Sequence, residues 1–129
     1  MGYLIYTVDG PEVPITCGAT ALAQGVFVKV ASGLAVICGA NDDVNVIGVT
    51  TKPCAVGESA NIRLFNGGGI LKVACGEAID LCDVIYVGAS GTAVDTDPGS
   101  KEGIGIALNA TVTAGDEVAF IVKNAFTDT

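Results

Sequence analysis

The chain has 129 residues, a formal charge of −8 from 14 acids and 6 bases, and no histidine. That length suits a single domain, which removes roughly two-thirds of its unfolded surface from water and folds without staples. The bases stand singly at Lys29, Lys52, Arg63, Lys72, Lys101 and Lys123, so no basic stripe speaks for nucleic acid.

Gly, Asp or Asn interrupts every apolar run well short of the ~20 residues that cross a bilayer, and no basic n-region with a long apolar h-region opens the chain. Tyr6 stands where a myristoylation signal needs Ser or Thr. The expectation is a soluble protein made in the cytoplasm, with no membrane partner. Five cysteines without a C-x-x-C pair point to reduced, partly buried thiols rather than a disulfide framework or a zinc site.

Taken in order, Tyr3 to Val8 is β-branched and aromatic and predicts a strand ending at the Asp9-Gly10-Pro11 turn. Pro11 and Pro14 then predict an extended, poorly paired connection, since each removes a ladder donor. Residues 1–14 read as an N-terminal arm, which either adds a strand to its own domain or reaches a neighbour. Ala19 to Gln24, between Gly18 and Gly25, has room for one helical turn and falls well short of the ~12 residues of a marginal isolated helix. Val26 to Val30 alternates with period two, Ala31-Ser32-Gly33 fits a hairpin turn, and Leu34 to Ile37 returns. A polar loop with Asp42 and Asp43, a strand over Val46 to Thr50, a loop over Pro53 to Gly57 and a strand over Ala60 to Phe65 follow. Asn66 to Gly69 is the sharpest breaker, and Ile70 to Ala74 the strand beyond it. Val84 to Val87, Thr92 to Val94, Ile104 to Leu108 and Val118 to Lys123 are the remaining strands, and Asn124 to Thr129 a polar tail.

The chain repeats itself. VFVKVASGLAV at Val26 returns as VIYVGASGTAV at Val84, 58 positions on, and the same offset lays Cys17-Gly18 over Cys75-Gly76. With one residue dropped, Ile47-Gly48-Val49 falls over Ile104-Gly105-Ile106, and Gly57-Glu58 over Gly115-Asp116. Two copies are too few for a solenoid, so the halves are expected to share one core. The fold class is all-β: a small β-barrel or β-sandwich in a single domain, residues 15–129, built from pseudo-repeats 15–67 and 73–124, with the arm in front.

Chemistry is sparse. Absence of histidine removes the commonest general base and metal ligand. The loop Asp95 to Gly103 superficially resembles a calcium loop, but Pro98 and Gly99 break the chelating pattern and no distant bidentate Glu follows. Cys17 and Cys75 are related by pseudosymmetry, which implies equivalent core roles and not contact. No base flanks Cys82 to activate it. Gly67 to Gly69 lacks the Lys-Ser/Thr of a phosphate loop. No catalytic residue, metal or cofactor is assigned. The remaining candidates are Tyr3, Leu4, Ile5 and Tyr6 in the arm, an apolar strand suited to adding to another sheet edge.

The order of motifs resembles the capsid cement, or head decoration, proteins of tailed bacteriophages. Carrying the resemblance are Gly48-Val49, Gly57-Glu58, Gly67-Gly68, Ala78-Ile79 with Asp83, Val84, Tyr86 and Val87, then Ser90-Gly91 with Ala93-Val94, Gly105 with Ala107-Leu108, and Ala114-Gly115. Cys82 stands where a glycine is expected before the Asp. The resemblance covers roughly residues 20 to 123. It implies a non-enzymatic virion protein on the outer capsid surface, commonly a homotrimer, whose partner is the major capsid protein and which holds neighbouring capsid subunits together. Acidity without a basic patch suits the outside of a shell. Two other classes stand beside it: a carbohydrate- or small-ligand-binding β module, short of aromatic platforms with no Trp and three Tyr, and a hydrolase using Asp95 and Asp97.

Overall fold

The computed structural model describes residues 12–65, 70–101 and 103–122. Among the described residues ten strands make two antiparallel sheets: β1 (Glu12–Thr16), β2 (Phe27–Ala31), β3 (Leu34–Ile37), β4 (Gly48–Thr50) and β5 (Ser59–Leu64), then β6 (Ile70–Ala74), β7 (Val84–Val87), β8 (Ala93–Val94), β9 (Gly105–Ala107) and β10 (Glu117–Val122). The first sheet has the order β1-β5-β4-β2-β3 and the second β6-β10-β9-β7-β8, the same order one copy later. Each curls on itself through a parallel bridge, Cys17 to Ala35 in the first and Cys75 to Ala93 in the second. The all-β expectation and the duplication both hold. The Tyr3 to Val8 strand, the Asn66 to Gly69 turn and the 124–129 tail lie outside the described residues.

One boundary moves. Residues 12–14, assigned above to a poorly paired arm, belong to β1, which pairs with β5 from Glu12 opposite Arg63 to Thr16 opposite Ser59. The Cys17 N–H bonds Glu58 O at 2.7 Å, so by antiparallel alternation Ile15 and Val13 also turn their N–H toward β5 and Pro14 turns its nitrogen away. Proline is tolerated there because β1 is an edge strand. β1 is the counterpart of β6, so each repeat starts about three residues earlier than the sequence comparison placed it, at the head of the strand rather than inside it.

The turns repeat with their chemistry. Ser32 (φ 53°) and Gly33 (φ 77°) form a two-residue loop between Ala31 and Leu34, both left-handed as a twisted hairpin requires. Ser90 and Gly91 take the same conformation in a longer loop closed by Gly88 N–H to Thr92 O. Several acids of the loops anchor turns as well as solubilising the surface: Glu58 accepts the Ala55 N–H at 3.1 Å, and its counterpart Asp116 accepts the Thr113 N–H at 3.1 Å. Asp42 accepts from Gly39 N–H and Lys29 Nζ, each at 2.8 Å.

Cys82 explains the departure noted in the sequence. Its φ is 72°, and Gly25, ahead of the equivalent strand in the first copy, has φ 74°. A left-handed L-residue costs about 1–2 kcal/mol, whereas glycine loses about 0.5–1 kcal/mol of extra entropy on folding. Cys82→Gly therefore stabilises the protein by about 0.5–1 kcal/mol, read as a higher urea midpoint at unchanged slope; a lower midpoint would contradict this account.

The two halves share a core, with a second, smaller cluster confined to the first half. Phe27, Cys38, Val46 and Val49 of the first half pack with Leu71, Val73, Ile85, Val87, Val118 and Phe120 of the second. Inside the first sheet Cys17, Leu22, Val26, Val28, Ala35, Cys54, Ala60 and Ile62 form their own cluster. The outer face of the first sheet thus covers the inner face of the second. Phe27, Phe65 and Phe120 meet edge to face at this junction, with ring centroids 5.8–6.2 Å apart. Gly91 seats the second hairpin there: a Cβ on it would lie 2.8 Å from Ile37 Cγ1 and 2.9 Å from Phe27 O. Gly33, its counterpart, faces open space.

Candidate functional site

The residues picked out for chemistry do not converge. Asp97 turns its carboxylate onto its own loop, accepting the N–H groups of Gly99 and Lys101 at 2.9 Å each. Asp95 faces another way, toward Glu77 and Asp83. Cys17 and Cys75 are both buried and free. Cys17 donates to Thr20 O at 3.2 Å, while Cys75 donates to Thr111 Oγ1 and Thr113 O, both at 3.4 Å. Burial, with Asp42 adding to it, pushes the Cys38 thiol up to about 12, which keeps it protonated and inert. Tyr3, Leu4, Ile5 and Tyr6 lie outside the described residues.

Asp95 has a carboxyl that titrates far from its ordinary range. Glu77 Oε2 accepts the backbone N–H groups of Asp95 and Thr96 at 3.0 and 3.1 Å, which brings the two carboxyls together. Hydrogen bonding to Glu77, then to Asp83, raises Asp95 from 3.8 to about 7, while the hydrogen bond to Asp95 holds Glu77 below its ordinary range. A carboxyl whose affinity for the proton is higher folded than unfolded adds stability that is complete below pH about 4 and lost as pH rises through about 7. Asp95→Asn keeps a donor beside Glu77 without that titration. The expected result is a Tm less dependent on pH between 5 and 8 than that of the parent; equal slopes would remove Asp95 as its source.

Sequence reasoning missed Arg63. It had been one of six scattered bases, yet it is 1% exposed and donates from Nη1 to Leu64 O at 2.9 Å. It lies at the junction of the halves, beside a cleft of about 310 Å³ that Glu12, Thr50, Thr51, Lys72 and Glu117 also line. Among the described residues no aromatic ring lines this cleft. The only available signal was its alternation with Ile62 and Leu64, which shows that Arg63 shares a face with Asn61 but not that this face is covered.

The surface offers apolar faces instead. Val30, Leu34, Val44, Val56, Leu81, Val112 and Ile121 are exposed, and on the outer face of the second sheet Ile121 stands directly between Ile70 and Ile106. Among the described residues no helix is long and apolar enough to cross a membrane.

A family model described as phage cement protein matches residues 7–122. Among solved structures, the head fiber gp8.5 N base of bacteriophage phi29 superposes with a TM-score of 0.71 at 18% identity, covering 92% of this chain and 100% of that one. At that identity the likeness is one of fold. No curated protein matches the chain.

Proposed function

Because the chain belongs to the phage cement protein family, we propose that it is a structural component of the phage head that binds the outer surface of the capsid and stabilises contacts between major capsid subunits. The family match across nearly the whole length carries this reading. The absence of convergent catalytic groups among the described residues supports a role without chemistry: the acids found close together are bound to turn amides or to one another. A protein that binds the assembled lattice better than the disrupted one stabilises it by mass action, and many weakly held copies add up. Homotrimers placed on the shell are part of the proposal, as is the segment Tyr3 to Tyr6 adding to a strand of a neighbour. That segment precedes β1, an edge strand of its sheet, which suits an arm that reaches a neighbour.

Co-sedimentation with capsids of the parent phage lacking this protein tests the proposal. The full chain is expected to saturate the shell at a fixed ratio and raise its resistance to heat or chelator. Deleting residues 2–11, which leaves β1 intact, is expected to lower capsid affinity at least about tenfold without changing the far-UV spectrum. No binding by the full chain overturns the cement reading; full binding by the deletion overturns only the arm.

A further inference from the structure

The two sheets are copies, yet their equivalent faces have different surroundings. Across the outer face of the first sheet runs the row Glu12, Arg63, Val49, Phe27, each opposite the next. The equivalent row in the second sheet is Ile70, Ile121, Ile106, Val84. In the first row Arg63, Val49 and Phe27 are buried because that face covers the inner face of the second sheet. Among the described residues the second row has no such cover: Ile121 is 42% exposed, and Ile70 and Ile106 are partly exposed. Gly103 roofs only its Val84 end.

The inner faces show the complementary asymmetry. Leu71, Val73 and Ile104 of the second sheet are buried under the first. Their counterparts Val13, Ile15 and Ile47 are only partly buried. Each chain therefore contains one closed joint, outer face of sheet one on inner face of sheet two, and the two unmatched halves of a second joint of the same kind. β-branched side chains in a flat cross-strand row are suited to packing on another sheet.

We infer that the outer face formed by Ile70, Ile121 and Ile106 docks on the inner-face rim formed by Val13, Ile15 and Ile47 of a second copy, continuing head to tail the joint that already unites the two halves. The contact is heterologous, so each copy uses one surface as donor and a different one as acceptor, and the rotation per step decides whether a ring closes. It concerns the isolated protein and stands or falls without any capsid.

The test uses the full chain in sedimentation velocity and native mass measurements at micromolar concentration, with Ile121→Lys on one face and Val13→Lys on the other. The parent is expected to self-associate, and each variant alone to do so at least about tenfold more weakly, as for loss of one buried anchor. Mixed one to one, the variants are expected to form a heterodimer and stop there, because one contributes an intact rim and the other an intact outer face. A monomeric parent overturns the inference. So does self-association of Val13→Lys at parental strength, which is the sign of a face paired with itself. Association that survives both substitutions but is lost on deleting residues 2–11 also overturns it. Thermal melts check folding, and the milder pair Ile121→Thr and Val13→Thr replaces any lysine variant that melts early.

Discussion

Phe120→Ala is expected to lower stability by about 3–5 kcal/mol, the range for truncating a fully buried aromatic ring. Phe120 has no exposed surface and stands where the shared core passes from one sheet to the other, packed on both Phe27 and Phe65 of the first half. Its removal opens a cavity between two sheets rather than within one, and neither backbone collapses readily into it. Against the ~5–15 kcal/mol of an ordinary domain, that loss is a large share of the total. Urea unfolding reads it directly, with Ile121→Ala as the neighbouring control: half exposed, it should cost about 1 kcal/mol or less. A Phe120→Ala loss no larger than the control's would mean that the two sheets do not share a core.

Gly105→Ala is expected to cost about 3 kcal/mol, at the upper end for overpacking, because the obstacle is backbone. A Cβ there would lie 2.5 Å from Ile121 O and 2.6 Å from Phe120 Cδ2, so β9 would have to move away from β10. Gly48 is its counterpart in the first copy, and a Cβ on it would collide with Arg63 O. Both glycines were aligned in the duplicated sequence, and the structure gives the same reason for both: two strands approach where a side chain has no room. Gly33→Ala separates this effect from conformational strain. Its φ is positive but nothing lies within 4 Å, so only the left-handed penalty of about 1–2 kcal/mol remains. Gly105→Ala costing no more than Gly33→Ala would refute the steric account.

Much of the fold was legible because it is local. Period-two alternation at Val26 to Val30, the Ser-Gly turns and the Gly-acid turns at Glu58 and Asp116 each follow from a few neighbouring residues, and their recurrence after 58 positions announced two copies of one sheet. The expectation of glycine at position 82 came from the resemblance to cement proteins, and the positive φ of Cys82 supplies its local cause. Pro14 misled: a missing donor was read as missing pairing, whereas on an edge strand the donor that is lost is one that faces away from the partner.

What the sequence determined by itself, then, is the strands from β2 to β10, their duplication and which side chains alternate along each strand, since these depend on sterics within a few residues. Only the tertiary structure decided which face of each copy meets the other. Alternation labels two faces without saying what covers them, so Arg63 and Ile121 hold equivalent places in their sheets while the first is buried and the second is open to solvent. That difference comes from stacking one sheet on the next, a contact between residues far apart in the chain, and it leaves the second sheet's outer face as the surface with most to gain from a partner.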